Sequence, residues 1–298
     1  MKISRRDFLK WSVAAGVALN IDFDLANVNT VLAAETDPPI IWIQGAGCSG
    51  CTISTLNVTT PTTIDDVLLN KISMKYNSTI MTASGDLAMQ TLDQCATQYK
   101  DQFILVIEGA VPTGSNGNYC IIGEVNGVPL TMQQAVLKYG PMAKYVVAAG
   151  TCASFGGVPA AFTNNTACQS AKTILTGKTT NPVVNLSGCP VHPTVLIQSL
   201  LDLILIGMPT LDSNSRPTKY YSTIHDSCPR RSAQLGVPIG SATGCFRSVG
   251  CYGPATQNVC PSMKWNNGQA WCIGVNYPCI GCSNPTFPTN PLLSSSPH

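Results

Sequence analysis

The chain has 298 residues, a formal net charge of +2 at pH 7 and charged side chains at only 11% of positions. No basic stripe is present, which excludes the electrostatic footprint of a nucleic-acid-binding protein. The low charge fits a surface largely covered by a partner, and equally an exported protein living in acid, where few carboxylates need protonating.

The N-terminus reads as an address. Ser4-Arg5-Arg6-Asp7-Phe8-Leu9-Lys10 has the form of a twin-arginine export sequence, and an apolar stretch from Trp11 to Leu19 follows. Residues 1–34 are therefore assigned to a removable targeting segment, cut near Ala33 or Ala34. That route exports proteins already folded. A cysteine-rich exported chain would otherwise read as a disulfide scaffold. Folding first lets metal take the thiolates in the reducing cytosol.

Residues 38–210 alternate short apolar runs with helical spacing. Strands are expected at Ile40–Gln44, Ser78–Thr82, Phe103–Ile107, Lys144–Ala148 and Pro182–Leu186. Helices are expected at Thr62–Lys71 and Thr131–Leu137, and over the apolar stretch from Val195 to Met208. That stretch is about 14 residues, too short to cross a bilayer. The alternation predicts an α/β fold with a doubly wound parallel sheet. From about Lys219 to the end, Gly, Pro and Cys become dense and the alternation stops. Residues 219–298 predict an irregular loop-and-helix domain whose cohesion comes from metal.

Eleven of the 14 cysteines, with one histidine, fall into three groups of four. The first is Cys48, Cys51, Cys152 and Cys189, and its members follow the first, fourth and fifth expected strands. They converge on the carboxyl edge of one sheet, where open α/β sheets build their sites. The second is His225, Cys228, Cys245 and Cys251. The third is Cys260, Cys272, Cys279 and Cys282. Four soft ligands per group is the stoichiometry of a cubane iron–sulfur cluster. A redox dithiol at Cys48–Cys51 and structural zinc are the competing readings of the thiols. Cys95, Cys120 and Cys168 are left over: at least one is a buried inert thiol, and a disulfide between the other two stays open. Asn57, Asn77, Asn164 and Asn185 begin glycosylation sequons, which chance explains in a chain so rich in Asn, Ser and Thr.

Together these motifs resemble the small subunit of nickel–iron hydrogenases from Ile41 to Pro285. The residues that carry the resemblance are the export sequence, Gln44-Gly45-Ala46-Gly47-Cys48-Ser49-Gly50-Cys51, Glu108-Gly109-Ala110, Gly150-Thr151-Cys152-Ala153, Gly188-Cys189-Pro190, His225-Asp226-Ser227-Cys228-Pro229-Arg230-Arg231 and Pro278-Cys279-Ile280-Gly281-Cys282. The resemblance implies a flavodoxin-like domain holding a proximal [4Fe-4S] cluster on the first group. It implies a distal cluster on the second group and a medial one on the third. Many family members have proline where this chain has Cys272, and a medial [3Fe-4S] cluster. Cysteine there predicts a third [4Fe-4S] cluster, as in nickel–iron–selenium members. Oxygen-tolerant members carry two extra cysteines at the positions of Gly50 and Gly157, so an ordinary proximal cubane is expected. No nickel-binding cysteine pairs are present. The resemblance thus implies a partner large subunit holding the NiFe centre, and a cytochrome b-type membrane subunit or soluble cytochrome as electron acceptor. It places the protein in the periplasm or peripherally on the outer face of the cytoplasmic membrane. Glu108 and His192 are expected beside the sheet edge as polar supporting groups, with no catalytic role. A related cluster-bearing subunit of respiratory complex I and a stand-alone ferredoxin-like carrier are the alternatives. The first lacks the eight C-terminal ligands, and the second usually shows a strongly charged face.

Overall fold

A computed structural model describes residues 38–163 and 165–289. The targeting segment and the sequon at Asn164 lie outside them. Five parallel strands form one sheet: β1 (Pro39–Gln44), β2 (Ser73–Asn77), β3 (Ile104–Glu108), β6 (Tyr145–Ala149) and β7 (Val184–Leu186). Their spatial order is β2-β1-β3-β6-β7. A separate antiparallel hairpin, β4 (Ile121–Val125) and β5 (Val128–Thr131), stands outside the sheet. With the hairpin set aside, the order is 2-1-3-4-5, the flavodoxin-like winding, which reverses between β1 and β3.

Alternation along each strand sends side chains to opposite faces, and both faces are covered. Ile40, Trp42, Ile104, Val106, Val147, Val184 and Leu186 pack with α1 (Gly50–Leu56), α2 (Ile64–Asn70) and α7 (Pro193–Leu205). Ile41, Ile43, Leu105, Ile107, Val146 and Ala148 face α3 (Gly85–Gln98), α4 (Met132–Tyr139), α5 (Gly150–Phe155) and α6 (Ala171–Leu175). Helix α4 opens on a capping box, Thr131 and Gln134 satisfying each other's backbone N–H groups. Pro193 opens α7, where its missing N–H costs nothing. No helix among the described residues is long and apolar enough to cross a membrane.

The second strand differs from expectation. It runs over Ser73–Asn77, and the segment expected to be extended at Ser78–Thr82 instead turns. Asn77 causes the turn: its side-chain oxygen accepts from Thr79 N at 2.9 Å and its carbonyl accepts from Met81 N.

Beyond α7 the described residues follow 3-10 turns and loops, with one short helix, α8 (Cys260–Met263). Its apolar core is small: Ile224, Cys228, Cys260, Trp271, Ile273 and Cys279. Half of those side chains are thiols.

Candidate metal centres

The sheet edge brings the first group together. Gln44 pairs with Glu108, Glu108 with Ala149, and Ala149 with Leu186, so the ends of β1, β3, β6 and β7 are level. Cys48 and Cys51 follow β1 into α1, Cys152 lies in α5 just past β6, and Cys189 follows β7. Cys51, Cys152 and Cys189 each feel the charge of other members of the group, Cys48 among them. Burial first, then the charge of Cys189, and more weakly Cys48, push Cys152 up to about 11. Cys51 is raised by burial and then by the carboxylate of Glu108. Cys48 and Cys189 are exposed, so the group opens to the surface. Backbone N–H groups of Val191 and Val158 point at the sulfurs of Cys51 and Cys152.

Glycines make room for this group. A Cβ on Gly150, whose φ is +84°, would lie 2.4 Å from Cys51 Sγ. One on Gly50 would lie 3.0 Å from Cys48 Sγ, and one on Gly157 3.1 Å from Cys152 Sγ. Both positions singled out for the oxygen-tolerant subtype therefore abut the first group.

The third group is buried deeper. Desolvation leads in raising Cys260 to about 11 and Cys282 to about 12, and it also raises Cys272 and Cys279. Cys272 adds its charge to Cys260, Cys279 and Cys282, so it belongs spatially with them. Trp265 donates to Cys260, and Gly281 N lies 3.4 Å from Cys279 Sγ. In the second group, burial leads in raising Cys228 and Cys251; the charges of Cys251 and Cys245 add to the first and that of Cys245 to the second. His225 is half-buried in the 3-10 turn leading to Cys228, whose N–H donates to the His225 carbonyl.

Two bonds order the groups in space. The N–H of Cys189 points at the sulfur of Cys282, joining the first group to the third. The N–H of Cys279 lies 3.3 Å from Cys251 Sγ, joining the third to the second. The last group in sequence is thus the middle one in space.

Buried thiols that repel one another as thiolates need a cation to remove their protons and share their charge. A single tetrahedral zinc would hold its sulfurs about 3.8 Å apart, given bonds of about 2.3 Å. Among the described residues no three His, Cys, Asp or Glu side chains are gathered that tightly. Soft thiol donors gathered in this looser way suit iron–sulfur clusters.

Comparison with known proteins finds matches to both halves of the chain. Residues 48–203 match the family model of the 20 Kd subunit of NADH ubiquinone oxidoreductase. Residues 220–293 match the C-terminal model of the NiFe/NiFeSe hydrogenase small subunit, which the complex I alternative would not explain. The periplasmic [NiFeSe] hydrogenase small subunit of Desulfomicrobium baculatum is 34% identical, over 97% of each chain. The chain belongs to the small subunits of NiFe and NiFeSe hydrogenases. Periplasmic [NiFe] hydrogenase small subunit 1 of Nitratidesulfovibrio vulgaris is 36% identical, over 96% of this chain and 90% of that one. The [NiFeSe] hydrogenase structure from Desulfovibrio vulgaris Hildenborough superposes with a TM-score of 0.80 at 37% identity, over 86% of this chain and 96% of that one. Residues 2–20 match the twin-arginine translocation signal, so this small subunit is exported by that pathway to the periplasm. Small subunits of this family bear iron–sulfur clusters, transfer electrons and pair with a large subunit.

Several residues support the sites that motif spacing did not single out. Thr52 bonds to Glu108, and Thr151 bridges Gly188 N and the Cys282 carbonyl. Ser187 donates to the carbonyl of Ser283. Their common signal is a small hydroxyl one or two residues from a grouped cysteine. Arg230 stacks 5.1 Å from the Phe246 ring centroid and donates to Ser241 and Asn276. Arg231 is the exposed one, loosely paired with Asp226. Cys95, Cys120 and Cys168 are free thiols; Cys120 lies near Cys168. Asn77 and Asn185 are each only 1% exposed, which bars glycosylation once the chain has folded.

Proposed function

We propose that this small subunit conducts electrons from H2, oxidised at a NiFe centre in the large subunit, through three [4Fe-4S] clusters to an external acceptor. In this reading Cys48, Cys51, Cys152 and Cys189 hold the proximal cluster. Cys260, Cys272, Cys279 and Cys282 hold the medial one, and His225, Cys228, Cys245 and Cys251 the distal one. The observation that carries it is the pair of N–H to sulfur contacts, Cys189 to Cys282 and Cys279 to Cys251, which string the groups in the order first, third, second. Once bound, the clusters supply one-electron relays; the chain sets their spacing, burial and hydrogen bonds.

The first group is the entry. It is the most open, and a groove of about 850 Å³ bounded by Gly50, Ile53, Pro190, His192 and Trp265 lies beside it. Exposed Ile53 and Val158 flank the same edge. An apolar surface of this kind suits burial against the large subunit. The exit is the second group, whose neutral imidazole ligand favours a higher potential than four thiolates. A membrane cytochrome b-type subunit or a soluble cytochrome would collect the electrons there. Cys272 favours a four-iron medial cluster because its thiol already sits among the other three. Gly50 and Gly157 leave the proximal site as an ordinary cubane.

Iron and acid-labile sulfide analysis of the purified complex, combined with EPR during a redox titration, tests the reading. The expectation is about 12 irons per small subunit and no three-iron signal on oxidation. A three-iron signal would remove Cys272 from the ligand set. A chain that purifies alone at its own mass, with full iron, would point to a free carrier instead.

A further inference from the structure

Glu108 ends β3 at the point where the strand order reverses, level with Gln44 of β1 and directly below α1. It is 3% exposed, the one acid among the described residues in the fully buried class. Its carboxylate is saturated with donors. Oε1 accepts from Cys51 N at 2.9 Å and Thr52 N at 3.1 Å. Oε2 accepts from Trp42 Nε1 at 2.8 Å, from Gln44 Nε2 at 3.1 Å and from the Thr52 hydroxyl. A carboxylate offers about four lone-pair sites. Five donors leave no place for a proton, which is the arrangement of an ionised group. Every donor is neutral, so no cation among these partners cancels the charge. A buried charge without a counter-ion is costly unless fully hydrogen-bonded, and here the hydrogen bonds are complete.

We propose that Glu108 is a positioning residue that holds the proximal cluster at the low-potential end of the relay. This rests on the reading that Cys48, Cys51, Cys152 and Cys189 hold a cluster. Two effects act in the same direction. A fixed negative charge beside Cys51 disfavours adding an electron to whatever its sulfur ligates. The same carboxylate also claims the N–H groups of Cys51 and Thr52, which would otherwise be available to cluster sulfurs. N–H to sulfur bonds favour the reduced state, so diverting two of them lowers the potential again. The third group shows the contrast. Its sulfurs accept from Gly281 N, Cys189 N and Trp265, and its pKa perturbers include thiols but no acid. The chain thus builds a downhill step between its first two relays from one side chain.

The experiment is an EPR-monitored redox titration of the intact large–small complex, wild type against E108Q, E108D and T52V, with iron and sulfide measured on each sample. Wild type must first show a proximal cluster signal; its absence would sink the cluster reading itself, before any variant is compared. E108Q removes the charge and should shift the proximal midpoint potential upward while the other two clusters keep theirs. T52V loosens the same pocket but keeps the charge, and should show no upward shift. If E108Q fails to assemble, E108D serves, because its shorter arm withdraws the charge from Cys51 and should give a smaller upward shift. An unchanged proximal potential in iron-replete E108Q, or in E108D where that is the variant that assembles, overturns the proposal. Equal upward shifts in E108Q and T52V also overturn it, since they would trace the change to loosened packing.

Discussion

His192, a few residues past Cys189, is a single side chain placed to shape the response to acid. It is 5% exposed, its Nε2 meets the Lys264 carbonyl, and its ring stands edge-on to Trp265 at 4.9 Å. A carbonyl can only accept, so Nε2 carries the hydrogen. Nδ1 is buried with no partner. Burial is the main cause lowering its pKa below the ordinary value of 6.5, and the Lys264 contact opposes it only in part. The sign follows from linkage. Above pH 6.5 the ring is neutral folded or unfolded, and stability is unaffected. As pH falls below 6.5 the unfolded chain takes a proton that the folded chain resists, so stability drops until the folded pKa is passed. The expected outcome is a Tm that declines on acidification from pH 7 and declines less in H192Q, which can still donate to Lys264 but does not titrate. Parallel Tm–pH curves for the two proteins would sink this account.

Among the elements, α5 is one on which the two halves of the chain meet. Thr151, 1% exposed in its first turn, accepts from Gly188 N at 2.9 Å and donates to the Cys282 carbonyl. One hydroxyl therefore ties the end of β7 to the last cysteine of the third group. Thr151→Val keeps the shape and strands both partners, at a cost of about 1–3 kcal/mol. A fall of roughly 2–8 °C in the Tm of the assembled protein is expected for a chain of this size, with Thr151→Ser near wild type. A wild-type Tm in Thr151→Val would show that the bridge is incidental. The elements themselves were unevenly legible in sequence. Strands β1, β3 and β6 were readable because both sheet faces are covered and their residues form unbroken apolar runs. The hairpin is not among the expected elements, although Asn126-Gly127, both at positive φ, is a strong two-residue turn signal. Its strands are largely exposed and lack the apolar run that betrayed the others. Helix α3 is hard to read in sequence because its polar face dilutes the periodicity, with only Ala88, Met89, Leu92 and Ala96 buried. At the sites, cysteine spacing revealed the thiol groups but could not reveal what orders them. The Cys189–Cys282 and Cys279–Cys251 contacts join backbone to sulfur across distant segments, and no sequence pattern marks such bonds.

Across the whole molecule, cohesion comes from different sources in the two halves. The sheet is buried between two broad apolar layers, with Trp42, Tyr139 and Phe103 among its fully enclosed side chains. The segment after α7 has a core of six buried side chains, three of them cysteine. Its thiols are held in the protonated range by burial, Cys260 at about 11 and Cys282 at about 12. At neutral pH without iron these thiols are neutral and small, and they add little apolar area to a core of that size. With iron, each ligand set becomes a covalent knot that closes long loops and restricts the unfolded chain. Removing iron should therefore act selectively. After anaerobic extraction of iron with a chelator and a mild oxidant, limited proteolysis should cut within residues 219–289. The fragment spanning residues 38–210 should persist, with far-UV circular dichroism keeping its α/β character. The first group sits on loops of the surviving sheet, so those loops should become sensitive while the strands stay protected. Uniform protection of the apo chain would mean that apolar contacts alone hold the C-terminal segment; uniform digestion would mean that the sheet depends on iron as well.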